Sequence, residues 1–214
     1  MLNFINQGGE ILAKGGILVG PIATCSIIAL GIFLERVYRL SKTKIRGQGV
    51  VSLVTTNLRK GDYDKSMQCA KELDTPMSRV LLHALEVLNQ DRETVETVIT
   101  HSIEVEVRTL SRYLGGLVVI GNIAPLLGLL GTVLGMIKAF MVIQEMGGKV
   151  NAAVLAGGIW EAMLTTALGL CVALPTMIAH SYLLSRVDKY EAQLQDGAVA
   201  FIKSVECWPK GDCR

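Results

Sequence analysis

Residues Gly158–His180 read GIWEAMLTTALGLCVALPTMIAH. The stretch is mostly aliphatic, yet Glu161 stands at its start and Thr165, Thr166, Pro175, Thr176 and His180 lie within it. On a helical wheel at about 100° per residue, Ala162, Thr165, Thr166, Gly169, Ala173, Thr176 and His180 share one arc, with Glu161 at its edge. Met163, Leu164, Leu168, Leu170, Cys171, Leu174 and Ile178 cover the other side. The polar and small residues are sorted rather than scattered. If this helix lies in lipid, such a face has to point at protein or water.

The rest of the chain supports a membrane setting. Half of the 214 residues are hydrophobic and 19% are charged. Three uncharged stretches reach the roughly 20 residues that span a bilayer: 15–34, 113–137 and 162–185. Each is closed by charge, namely Lys14 and Glu35, Arg112 and Lys138, Glu161 and Arg186. The leader lacks a basic start and no A-x-A site follows the first apolar run, so that run is expected to stay as a transmembrane helix. Basic residues crowd after the first span (Arg36, Arg39, Lys42, Lys44, Arg46), before the second (Arg108, Arg112) and after the third (Arg186, Lys189). The positive-inside rule then puts segment 1–14 outside, 35–112 inside, the link 138–161 outside and the tail 186–214 inside. The five cysteines, Cys25, Cys69, Cys171, Cys207 and Cys213, show no zinc spacing and read as isolated reduced thiols.

Segment 35–112 has helical periodicity. Gly61-Asp62 marks a stop and a new cap, Thr75-Pro76 a cap with a first-turn proline, and Asp91 a further cap. The helix after Asp91 meets no Gly or Pro before span two, so the two are expected to form one long helix projecting into the cytoplasm. Span three is expected to continue likewise past Gly197. Span two carries a ridge of Gly121, Ala124, Gly128, Gly131 and Gly135 at spacings of three and four, flanked by Thr132. Such a seam lets helix backbones approach closely, and Pro125 after Asn122 invites a kink.

Neither a metal-binding cluster, a nucleotide-binding loop nor a nucleophile elbow is present, and GLLGTVLG lies inside an apolar helix rather than after a strand. No cofactor and no enzymatic activity are expected. Lysines and arginines are mixed with acids, which gives no basis for nucleic-acid binding. His83 and His101 read as structural, and His180 as a residue near the inner end of span three.

Two blocks resemble the ExbB/TolQ/MotA family of proton-channel subunits of bacterial inner membranes: APLLGLLGTVLGMIKAF (Ala124–Phe140) and IWEAMLTTALGLCVALP (Ile159–Pro175). Three spans are similar to the ExbB/TolQ branch. The resemblance implies an all-α integral membrane protein with a small cytoplasmic helical bundle, forming a homo-oligomeric ring of five. It also implies that two copies of a single-span ExbD/TolR-like partner stand in the ring and bring the titrating aspartate. Output would pass to a TonB-like protein for import or a TolA-like protein for envelope maintenance. The family's lining residues fall on Thr132, Glu161 and Thr166, and the arc adds Thr165 and Thr176 as further candidates. Gly121, Gly128, Gly131, Gly135 and Gly169 are expected to pack helices.

A purely structural membrane scaffold is the main rival. Membrane threonines commonly bond back to their own helix, and a glutamate suits a helix N-terminus. An integral membrane enzyme is disfavoured, because Glu161 and His180 lie about 28 Å apart along a helix rising 1.5 Å per residue.

Overall fold

The computed structural model describes residues 18–44, 49–145 and 152–206. Segment 1–14, the start of the first span, the middle of link 138–161 with Lys149, and the tail with Cys207 and Cys213 lie outside the described residues. Every regular element among the described residues is an α-helix: α1 Val19–Lys44, α2 Val50–Arg59, α3 Tyr63–Glu72, α4 Pro76–Glu86, α5 Arg92–Ser111, α6 Leu114–Glu145 and α7 Ala152–Glu206. Among them, α1, α6 and α7 are long and apolar enough to cross a membrane, over Val19–Lys42, Leu114–Glu145 and Leu155–Val205.

The chain divides into two units. The first joins the described residues up to 34 with 113–182; the second joins 35–112 with those from 183 onward. Helix α7 runs unbroken through the division, and Gly197 and Pro175 both lie inside it.

The second unit is a helical bundle whose turns obey local chemistry. Gly61 takes φ 79 between α2 and α3, a conformation glycine adopts without a Cβ penalty. Thr75 accepts a hydrogen bond from the Ser78 amide, while Ser78 Oγ accepts one from the Thr75 amide at 2.8 Å, and Pro76 opens α4. Asp91 accepts from the Thr94 amide at 2.9 Å, which holds its carboxyl below the usual range. Asp62 stands at the N-cap of α3 but makes no side-chain cap bond, pairing instead with Lys65.

The bundle core is contiguous. Val54, Leu58, Val80, Leu81, Leu85 and Ile99 pack with Leu194, Ala198 and Phe201 from the end of α7. Phe201, Val54, Val80 and Leu81 have no exposed surface. Gly197 is buried because Met77 and Val51 occupy the space a side chain would need. Arg79 grips Glu106 through Nε and Nη2 at 2.6 and 2.7 Å and also meets Asp74; the Glu106 bonds raise its pKa further. Arg36, almost wholly buried, donates to the Thr109 and Leu110 carbonyls in the last turn of α5, groups that a helix end leaves unsatisfied.

One expectation is corrected here. Span two does not continue α5 as one long helix. Helix α5 ends at Ser111, Arg112 adopts φ −52 and ψ 135, and Tyr113 takes φ 70 before α6 begins at Leu114. The break falls on residues that carry no Gly or Pro, so the sequence holds no breaker signal there; Tyr113 takes the left-handed conformation that glycine usually supplies.

Candidate functional site

The candidate face lies in the first unit, on α6 and α7. The small ridge of α6 meets the small and polar arc of α7 in a close antiparallel seam. A Cβ built on Gly135 would lie 2.7 Å from Ala162 Cβ, and one on Gly158 3.0 Å from Ala139 Cβ. Gly131 faces the Thr165 side chain, and Gly121 faces Met177 and Thr176. At the centre the approach is backbone to backbone. A Cβ on Gly128 would stand 2.9 Å from Thr166 Cα and 3.1 Å from the Thr165 carbonyl oxygen, and one on Gly169 2.6 Å from the Ala124 oxygen. Only glycine permits this approach. Lipid tails are as apolar as leucine, so such packing and interhelical hydrogen bonds hold membrane helices together.

The threonines separate into two kinds. Thr165 and Thr176 are buried in the seam, and their hydroxyls donate to their own helix, to the Ala162 and Val172 carbonyls, each at 2.7 Å. Thr166 is half-buried, and its hydroxyl crosses the seam to the Gly128 carbonyl at 2.8 Å. Thr132, also half-buried, stands one turn beyond Gly128 and donates to the Leu129 carbonyl at 2.7 Å. On helical wheels, Thr132 and Thr166 each lie about 60° from the centre of their seam face. Because the helices are antiparallel, those two offsets fall on the same side of the pair. Gly131 packs on Thr165, so Thr132 and Thr166 also sit at nearly one depth.

Glu161 is half-buried in the N-terminal part of α7, five residues before Thr166. Its wheel position is about 80° from the seam on the side opposite the two hydroxyls. His180 is half-buried at the other end of the membrane stretch. The structure thus brings Thr132 and Thr166 together, sets Thr165 and Thr176 between the helices, and leaves Glu161 apart. Gly121, Gly128, Gly131, Gly135 and Gly169 all take packing positions. The sequence reading missed two contacts, Gly158 on Ala139 and the Gly128 carbonyl as acceptor for Thr166. Small residues spaced four apart on each helix signalled the first; nothing in the sequence signalled the second. Among the described residues no group of three or more His, Cys, Asp or Glu could hold a metal ion.

Comparison with known proteins adds the decisive observation. The model of the MotA/TolQ/ExbB proton channel family matches residues 72–196, which include the whole seam. The chain belongs to this family. It is 30% identical over 189 residues to the putative biopolymer transport protein ExbB homolog of Methanothermobacter thermautotrophicus, covering 88% of this chain and 67% of that one. It is also 30% identical to the putative biopolymer transport protein ExbB-like 3 of Synechocystis, over 77% of this chain and 79% of that one. The biopolymer transport protein ExbB of Pseudomonas putida is 30% identical over 90% of this chain and 59% of its own length. The MotA/TolQ/ExbB assignment and the three apolar helices together make this a multi-pass membrane protein of an ExbB-like energy-transducing type.

Proposed function

We propose that this chain is the ring-forming subunit of a motor driven by the proton-motive force in a bacterial inner membrane. Five copies enclose two copies of a single-span ExbD/TolR-like partner. The assembly passes energy to a TonB-like protein, as in outer-membrane import; the relatives named ExbB favour this over a TolA-like output. The N-terminus lies on the periplasmic side and the C-terminus in the cytoplasm, the arrangement that keeps Arg36, Arg39, Arg108, Arg112 and Arg186 inside.

One observation carries the reading. Thr166 is fixed by the Gly128 carbonyl one turn from Thr132, so two hydroxyls stand level on one side of the α6–α7 pair. Repeated around a ring, they form a polar, uncharged collar. Hydroxyls there hydrogen-bond the partner's carboxyl or a short water chain without a fixed charge that would trap a proton. Each charge crossing the membrane releases about 2.3 kcal/mol per 100 mV, so a few protons suffice to move one helix pair against the ring. Glu161 acts at the outer mouth rather than within the collar. Thr165 and Thr176 hold the collar in place as packing residues.

The test is proton flux into liposomes holding this chain with its single-span partner, read with a pH-sensitive dye. Thr132→Ala combined with Thr166→Val abolishes partner-dependent flux on this reading. Unchanged flux in that double variant overturns the lining role.

A further inference from the structure

Asn122 is an exposed amide on a face of α6 otherwise built from Val118, Val119, Leu126 and Leu129, all exposed. It lies eight residues past Leu114, about 12 Å along the axis at 1.5 Å per residue and so well within a bilayer. Among the described residues nothing hydrogen-bonds its side chain. A polar group left without a partner in hydrocarbon is strongly disfavoured.

Helix α7 carries the complementary defect. Pro175 has no amide hydrogen, so the Cys171 carbonyl loses its bond one turn on. Cys171 and Pro175 are both exposed, beside Leu174 and Ile178. The seam fixes the depths. Gly121 opposes Thr176 and Met177, and Gly128 opposes Thr166, so Asn122 is level with Pro175. The Cys171 carbonyl is then within about 5.4 Å of that level, one helical turn.

An unpaired donor and an unpaired acceptor therefore stand within about one helical turn of each other in depth, but they cannot meet within one subunit. Asn122 lies about 140° from the seam centre of α6 and Cys171 about 160° from that of α7. Passing around α6 from the seam, Thr132 comes first and Asn122 second, in the same direction. If Thr132 and Thr166 face a common lumen, the helix beyond α6 on that path is α7 of the next copy. We infer that Asn122 of one copy hydrogen-bonds the Cys171 carbonyl of the next, within an α6–α7 contact between copies of this chain. The inference rests on the ring reading proposed above and adds the surface that closes the ring.

The experiment uses the full chain in membranes, with Cys25, Cys69, Cys207 and Cys213 replaced by serine and Cys171 kept. Native mass spectrometry first gives the oligomeric state. Asn122→Cys in this background, oxidised with copper phenanthroline, is expected to give a ladder of cross-linked copies that disappears on adding Cys171→Ser. In parallel, Asn122→Leu is expected to weaken association about threefold per contact, the size of a typical interhelical membrane hydrogen bond. An oligomer without the ladder, cross-links only to a co-expressed single-span partner, or unchanged association in Asn122→Leu overturns the inference and leaves the ring standing. A monomeric starting protein overturns both.

Discussion

Gly128→Ala is the sharpest perturbation of the seam. The added methyl would meet Thr166 Cα at 2.9 Å, the Thr165 oxygen at 3.1 Å and the Thr166 oxygen at 3.3 Å. All three are backbone atoms of a helix, so no rotamer change relieves the clash. The helices must separate by several tenths of an ångström, which stretches the 2.8 Å bond from Thr166 to the Gly128 carbonyl. Overpacking costs about 1–3 kcal/mol, and a lost interhelical bond in a membrane about 0.6 kcal/mol. The sum is about 1.6–3.6 kcal/mol, or an apparent melting drop of about 3–14 °C for a chain of this size. Thermal melts of the purified protein in one detergent, followed by loss of the monodisperse chromatographic peak, measure it. Gly157→Ala is the control, because nothing lies within 4 Å of a Cβ there. It is expected to melt with the unmodified protein. Equal melting of the Gly128 and Gly157 variants refutes the claim that the seam requires glycine.

Other outcomes follow from the same geometry. Thr165→Val and Thr176→Val keep the shape of the side chain and remove hydroxyls that bond only their own helix, so partner-dependent proton flux should persist in both, unlike in Thr166→Val. Phe201→Ala, at a site with no exposed surface, should destabilise the helical bundle of α2–α5 and the end of α7 by about 3–5 kcal/mol, read as rapid trypsin cleavage within 49–111. Asp91 has a lowered carboxyl pKa in the folded state, caused by the Thr94 amide; its contribution is therefore present above the usual carboxylate range and lost as pH falls through the folded value. Asp91→Asn keeps the cap without the titration, so its helicity by circular dichroism should change less between pH about 6 and 3 than that of the unmodified chain.

Much of this was legible in the sequence because the signals were local. The small residues Gly128, Gly131 and Gly135 on one helix and Ala162, Thr165 and Gly169 on the other follow the helical period, and they became the seam. Thr75 and Asp91 cap where their neighbours predicted. The break at Arg112-Tyr113 was not legible, because it uses tyrosine where a glycine would have announced it. Nor could the arc on α7 separate its threonines by role. Thr165 and Thr166 are adjacent and chemically identical; only the partner helix decides that one is buried and the other reaches the Gly128 carbonyl. The unmet amide of Asn122 likewise emerges only once the seam has consumed the opposite face of α6.

The most direct measurement is a density map of the assembled protein with its single-span partner in lipid, inspected around the Thr132 and Thr166 hydroxyls. A guest helix carrying a carboxyl, or ordered water leading to one, is the expected neighbour of both. Acyl chains against those hydroxyls would contradict the account.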